Sequence, residues 1–170
     1  ILIKGKTVML GYYQNPEATA EAVKDGWFNS GDIGYMDDEG FLYITGRSKN
    51  VIVTQNGKNI YPEEIEGLLG KVPEIAECMV YGKEVSGEKE LIITARVIPD
   101  YNVIEELHGK DRKNPDEPFT EDEIYKIIWN QIKQVNRKLT NYKCIKKLEI
   151  KTDQFEKTST LKIKRYAELA

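Results

Sequence analysis

The chain has 170 residues, is 40% hydrophobic and 31% charged, and carries a formal net charge of −3. That profile fits a soluble globular protein of one domain, or of one small domain plus a piece of another. It offers no global basic field for nucleic acid, and no apolar run approaches a membrane span.

The single histidine, His108, gives little support to a His-based triad or a multi-His metal site, and it reads as a surface residue. Cys78 and Cys144 are far apart in apolar surroundings, so a disulfide framework is not expected and a reducing cytoplasm fits. The first residues do not read as a signal peptide. The abrupt start at Ile1-Leu2-Ile3-Lys4-Gly5, with no initiator Met, reads as a cut from something longer.

Residues 1–10 read as a strand around Gly5. Asn15 can cap a short helix running to about Val23, with Pro16 and Glu17 suited to its first turn. Asp25-Gly26 is a turn signal, and Trp27-Phe28 enters a strand leading to Ser30-Gly31-Asp32. Aromatic and aliphatic residues on either side of Asp37-Asp38-Glu39-Gly40 predict a hairpin from Tyr35 to Ile44. A second hairpin is predicted from Val51-Ile52-Val53 and Lys58-Asn59-Ile60, with Asn56-Gly57 supplying the left-handed turn positions.

Pro62-Glu63-Glu64-Ile65-Glu66 opens a helix whose apolar stripe is Ile65, Leu68 and Leu69. Residues 75–82 and 90–99 are predicted strands, and the Ser86-Gly87-Glu88-Lys89 loop between them suggests an antiparallel pair. The second strand alternates Leu91, Ile93, Ala95 and Val97 with Ile92, Thr94, Arg96 and Ile98. Residues 100–119, with Pro115 and Pro118, read as a loop. Nine acids oppose three bases between Asp100 and Glu123, while eight bases oppose three acids between Lys143 and Arg165. Solvated faces explain both runs, and a basic tail meeting a phosphate is the sharper reading.

Thr120-Glu121-Asp122-Glu123 is a capping box. After it, Ile124, Ile127, Ile128, Ile132, Val135 and Leu139 recur at helical spacing and predict a core-facing stripe. A third strand is predicted over 146–150. The β-α-β-β-α-β pattern after residue 50 predicts an α+β domain: a short antiparallel hairpin and a three-stranded sheet flanked by helices. A β-rich segment, incomplete by itself, precedes it.

An Asp beside glycines, such as Asp32, can accept hydrogen bonds from two vicinal hydroxyls, each contributing about 1.5–3 kcal/mol. Arg47 can donate to the same sugar or to a phosphate. A turn-capping Asp32 and a surface Arg47 are the plain alternative. Gly57-Lys58 lacks the upstream glycine spacing of a phosphate-cradling loop. Lys162, in a Thr/Ser/Lys-rich tail, can neutralise charge developing on a phosphate or acyl oxygen, or be merely exposed.

Residues 8–19 (Val-Met-Leu-Gly-Tyr-Tyr-Gln-Asn-Pro-Glu-Ala-Thr), 25–34 (Asp-Gly-Trp-Phe-Asn-Ser-Gly-Asp-Ile-Gly), 44–47 (Ile-Thr-Gly-Arg) and 57–66 (Gly-Lys-Asn-Ile-Tyr-Pro-Glu-Glu-Ile-Glu) together resemble the adenylate-forming superfamily. The resemblance extends in ordered blocks to Arg165. It implies two steps. A carboxylate attacks the α-phosphate of ATP, giving an acyl-adenylate and pyrophosphate; after the small domain rotates, a thiol, usually CoA, displaces AMP.

By match of motif, Asp32 would bind the ribose hydroxyls and Arg47 would assist at the nucleotide. Lys49 would sit at the hinge, Gly57 on the turn meeting the pantetheine arm, and Lys162 between acyl carboxylate and α-phosphate. Residues 1–46 would be the end of the large N-terminal (β-barrel) domain, and 47–170 the small mobile domain, hinged near 47–50. ATP and Mg2+ would be bound mainly by the N-terminal domain upstream, with no metal site in these residues.

Two positions depart from the family's usual terminal motif: Glu156 stands where Pro is usual and Leu161 where Gly is. The acidic segment, the long helix after Thr120 and Phe155-Glu156-Lys157-Thr158 resemble the long-chain fatty acyl-CoA synthetase branch. The implied partners are a fatty acid, ATP, CoA and the chain's own N-terminal domain, with no nucleic acid and no transmembrane segment. A cytoplasmic location is expected, with membrane association of the complete enzyme left open. The alternatives are an aryl, short-chain or carrier-protein substrate in the same superfamily, and a non-catalytic α+β binding module.

Overall fold

The computed structural model describes residues 1–84, 91–111 and 117–169, and divides into two compact units, Ile1–Val51 and Ile52–Ala170. In the first unit, β1 (Leu2–Lys4) pairs antiparallel with β3 (Trp27–Asn29), which also pairs with β2 (Val23–Lys24). The expected strand over residues 1–10 is thus only three residues long. Helix α1 (Pro16–Ala22) is capped as predicted, with the Ala18 N–H donating to Asn15 Oδ1 at 3.0 Å.

Strands β4 (Asp32–Met36) and β5 (Leu42–Arg47) form the first hairpin, and Asp37 Oδ1 closes its turn by accepting from the Glu39 and Phe41 N–H groups. Gly34 is required there, because a Cβ would lie 2.3 Å from the Tyr43 carbonyl oxygen. Gly46 alone is fully buried in this unit, so Tyr35, Met36, Phe41, Leu42, Tyr43 and Ile44 remain exposed. A 3-10 turn at Ser48–Asn50 closes the unit.

The second unit begins with the hairpin of β6 (Ile52–Val53) and β7 (Asn59–Ile60). Its turn is closed by the Gly57 N–H donating to the Thr54 carbonyl at 2.9 Å. Gly57 has φ +71 but Asn56 has no positive φ, so one left-handed position serves the turn rather than the expected two. Helix α2 (Pro62–Leu69) follows and buries Pro62, Ile65 and Leu69.

Strand β8 (Ile75–Glu84) runs antiparallel to β9 (Leu91–Pro99). The Ser86–Lys89 loop lies outside the described residues, as does Pro115. After β9, helix α3 (Tyr101–His108) and a 3-10 turn at Gly109–Asp111 replace the predicted loop. Asp100 caps α3 by accepting from the Val103 N–H at 3.1 Å, and Ile104 is its one fully buried anchor. A single anchor over two turns leaves little periodicity to read amid charged neighbours.

Helix α4 (Glu121–Asn136) carries the predicted capping box and buries Ile124, Ile128, Ile132 and Val135. A 3-10 turn at Asn141–Lys143 leads to β10 (Lys147–Ile150), which pairs parallel with β9. The sheet order is therefore β10-β9-β8, with β9 central. Its first face packs Ile93, Ala95 and Val97 with α2, α3 and α4 residues in one core. Full burial of an Ile or Val side chain there contributes about 1.5–3 kcal/mol.

The second face is covered by the tail, not left open. Phe155 is buried against Met79 and Tyr81, with Ile98 and Ile163 packed around them. A short helix α5 (Arg165–Glu168) ends the described chain. No helix among the described residues is long and apolar enough to cross a membrane.

Candidate functional site

Asp32 opens β4 and Arg47 closes β5, and the register places them directly opposite each other. Arg47 Nε donates to Asp32 Oδ1 at 3.0 Å. Gly31, at φ +72, turns the chain just before the pair, and its carbonyl accepts from the Ser48 N–H at 2.9 Å. The Ser30 hydroxyl accepts from the Asp32 N–H at 3.1 Å. The sequence thus brings the acid and the arginine together through pairing of a short hairpin. Among the described residues, Asp32 Oδ2 and the terminal guanidinium nitrogens of Arg47 carry no further bond. One acceptor and two donor groups are thus left over for a polar ligand.

Lys49 lies in the 3-10 turn just before Ile52, where the second unit starts, and pairs with Glu21 at 3.3 Å with both side chains well exposed. Such a pair is worth little to stability. A concavity of the first unit has a volume of about 360 Å³ and is lined by Leu2, Glu21, Ala22, Lys24, Asp25, Trp27 and Asn29. It includes none of the candidate residues.

In the second unit, Gly57 has nothing within 4 Å of where a Cβ would be. Its left-handed φ, rather than crowding by the protein, is what calls for glycine there. The turn is braced by Thr54, whose Oγ1 accepts from the Lys58 N–H at 3.0 Å.

Lys162 closes the base of a tight loop, opposite Thr158. The Thr158 N–H donates to the Lys162 carbonyl at 2.8 Å, and the Lys162 N–H donates back to Thr158 Oγ1 at 3.2 Å. Lys157 and Ile163 form an antiparallel bridge just below. Leu161 takes φ +61 to make the turn, an uncommon conformation for a bulky residue. Lys162 is exposed, and among the described residues its ammonium makes no hydrogen bond or ion pair.

Side-chain contacts that spacing did not reveal hold this loop. Arg165 donates through NH2 to both Glu66 oxygens at 2.5 and 2.6 Å and through NH1 to the Val80 carbonyl at 2.8 Å. Lys157 meets Glu77 at 2.7 Å, and Lys164 meets Glu156. Further out, Glu149 gathers Lys83, Tyr81 and Arg96, and Arg96 reaches on to the Glu168 carbonyl. Burial alone would raise the Glu149 carboxyl, but bonds from Lys83, Tyr81 and Arg96 outweigh it and hold the group down at about 2. Burial pushes Glu66 up from the ordinary carboxylate range, against the pull of Arg165 and the Val80 N–H. Nothing in the sequence pairs Glu66 with Arg165, which lie 99 positions apart.

Other chemistry finds little support. Burial, with the Glu66 carboxylate adding, pushes the Cys78 thiol up to about 12, so it is not a nucleophile at neutral pH. His108 is not a free surface residue: its Nε2 lies 3.0 Å from Oε1 of the buried Glu74, which also accepts from Gln131. Among the described residues, no group of three or more His, Cys, Asp or Glu side chains is arranged to hold a metal ion.

Comparison with known proteins adds the following. Residues 64–162 match the AMP-binding enzyme C-terminal domain. The chain is 34% identical to the long-chain-fatty-acid–CoA ligase FadD15 of Mycobacterium tuberculosis, over 97% of this chain and 28% of that protein. It is 46% identical to the indoleacetate–CoA ligase of Aromatoleum aromaticum, over 58% of this chain and 19% of that one. The solved o-succinylbenzoate CoA synthetase (MenE) of Bacillus subtilis, in complex with the acyl-adenylate intermediate OSB-AMP, matches with a TM-score of 0.69 and 27% identity, over 97% of this chain and 29% of that one. The chain thus spans less than a third of the length of these relatives.

Proposed function

The chain belongs to the AMP-binding enzymes, whose C-terminal domain it carries, and we propose that it is the C-terminal part of an ATP-dependent long-chain fatty acid–CoA ligase. Residues 1–46 end the large N-terminal domain. Residues 47–170 are the small domain, which turns about a hinge at 47–50 that includes Lys49. The observation that carries this reading is an exposed Lys162 ammonium, without a partner among the described residues, at the closing end of a loop braced on both sides, within the matched region.

In the first step a fatty carboxylate oxygen attacks the α-phosphate of ATP and pyrophosphate leaves. Negative charge builds at the reacting phosphate, and the Lys162 ammonium stabilises it. Asp32 accepts hydrogen bonds from the ribose hydroxyls. Arg47 fixes the orientation of that carboxylate through Nε and offers its remaining N–H groups to the nucleotide. In the second step the CoA thiol attacks the acyl carbon and AMP leaves. Gly57 lets the pantetheine arm pass close to the backbone, in space left open around its Cα. ATP and Mg2+ are held mainly by the N-terminal domain. No step assigned to these residues passes through a metal.

A long-chain substrate is supported by the match to FadD15, which runs through the acidic segment and the tail as well as the core. A second reading, an aryl-acid ligase, is favoured by the higher identity to the indoleacetate ligase over a shorter stretch. Pyrophosphate and AMP release by the complete enzyme separates them, using saturated fatty acids of increasing length beside arylacetates. The first reading expects activity to rise with chain length. Preference for arylacetates establishes the second reading, and release of ADP instead of AMP contradicts both.

A further inference from the structure

Strand β8 is an edge of the three-stranded sheet, so the N–H and C=O groups on its outer side need partners. At Val80 both are met by side chains. The Val80 N–H donates to Glu66 Oε1 at 2.6 Å, and the Val80 carbonyl accepts from Arg165 NH1 at 2.8 Å. Glu66 and Arg165 are themselves joined by two short bonds, with about a fifth of each side chain exposed. A helix, a strand edge and the tail therefore meet at one ion pair. Arg165 follows Lys162 by three residues, and Glu66 stands on α2, the helix that follows the Gly57 hairpin.

The two flanks of the lysine loop are held differently. The approaching flank is fixed by buried Phe155 and by the Lys157–Glu77 pair. The departing flank is joined to it by the Lys157–Ile163 bridge, the Lys164 N–H bond to the Glu156 carbonyl and the Lys164–Glu156 pair, and meets the rest of the domain through the partly buried Ile163 and Arg165. Of these, the Arg165 contact alone is tied to the sheet edge: one terminal nitrogen bonds both Glu66 oxygens and the other the Val80 carbonyl, so the planar guanidinium fixes direction as well as distance. Leu161 at positive φ adds a reason for such a brace, because the loop would relax if its departing end were free.

We propose that Glu66 and Arg165 form the positioning pair of the Lys162 loop, fixing where its ammonium is delivered in the adenylation step. Neither residue touches substrate, and both act through Lys162, so the inference rests on the reading of Lys162 given above. The pair also ties the lysine loop to α2, so that the loop and the Gly57 hairpin move with one element. The adenylation half-reaction, which needs Lys162 in place, depends on the pair. Thioester formation from an acyl-adenylate already made does not.

The test uses the complete enzyme with Arg165→Met, Arg165→Lys, Glu66→Gln and Lys162→Ala. Ile128→Val, in the α4 core, serves as a stability control. Acyl-adenylate formation is followed by pyrophosphate release without CoA, thioester formation from supplied acyl-adenylate, and thermal midpoints are recorded for each variant. A displacement of about 1 Å at a reacting group costs up to about 10²-fold. Arg165→Met is therefore expected to slow adenylation by about 10- to 100-fold while thioester formation stays within about threefold, with Arg165→Lys and Glu66→Gln intermediate. Ile128→Val is expected to lower the thermal midpoint without splitting the half-reactions.

Equal loss in both half-reactions overturns the proposal, because it indicates general destabilisation. Unchanged adenylation in the Arg165 variants beside an impaired Lys162→Ala overturns it while leaving the function standing. If Lys162→Ala itself adenylates normally, the reading of Lys162 fails and the positioning pair fails with it. Should Arg165→Met not fold, the same ratio in Arg165→Lys and Glu66→Gln decides.

Discussion

Leu161 gives the most discriminating test of the backbone around the lysine. It sits at φ +61 with 78% of its surface exposed, so its side chain contributes little burial while its backbone is strained. The informative comparison is Leu161→Gly against Leu161→Ala, because both remove the same exposed side chain. A non-glycine residue in the left-handed region is disfavoured by about 1–2 kcal/mol, which Gly avoids. Against that, Gly adds unfolded-state entropy costing about 0.4–1 kcal/mol. The net expectation is that the Gly variant is more stable than the Ala variant by about 0.5–1 kcal/mol.

Urea unfolding of the chain in a Trp27→Phe background reads this directly, because Trp129 on α4 is then the one remaining tryptophan and reports on the second unit. At an ordinary negative-φ position the order reverses, with Ala ahead of Gly by about 0.5–1 kcal/mol. Ala ahead of Gly at position 161 would refute the left-handed loop and, with it, the present account of how Lys162 is presented.

Two further expectations concern the second face of the sheet. The Glu149 carboxyl is held at about 2 against an ordinary 4.5, so the folded state resists its protonation. The stabilisation is present above pH 4.5 and is lost as pH falls from there toward 2. It amounts to on the order of 2 kcal/mol after allowing for solvent screening. Acid unfolding followed by far-ultraviolet circular dichroism should show that slope, and Glu149→Gln should flatten it; an unchanged slope in the variant would contradict the assignment. Phe155→Ala, which empties a buried site against Met79 and Tyr81, should cost about 3–5 kcal/mol and make the tail beyond residue 151 sensitive to protease. A loss under about 1 kcal/mol would mean the tail does not pack there.

The parts of the fold visible in the sequence are those set by local chemistry. The capping box at Thr120 and the stripe from Ile124 to Val135 announce α4, because one helix face is buried along its whole length. Asp37 to Gly40 and Gly57 announce the two hairpins. Helix α3 was hidden because its burial rests on Ile104 alone, while its charged neighbours read as loop. The parallel pairing of β10 with β9 and the contact of His108 with buried Glu74 depend on how α3 and α4 return the chain. The candidate site divides the same way. Asp32 and Arg47 could be singled out because each stands beside glycine at the end of a short hairpin, and pairing brings them opposite. Glu66 and Arg165 could not, since only the folded edge of β8 brings them together.

The central claim is that Lys162 serves adenylation within a two-step ligase. Its most direct test is Lys162→Ala in the complete enzyme, with pyrophosphate release and thioester formation from supplied acyl-adenylate measured side by side. Loss of one preorganised donor at developing charge costs about 10²–10³ in rate. The account predicts a fall of that size in adenylation, with thioester formation retained within about threefold. Undiminished adenylation, or an equal loss in both steps, would contradict it.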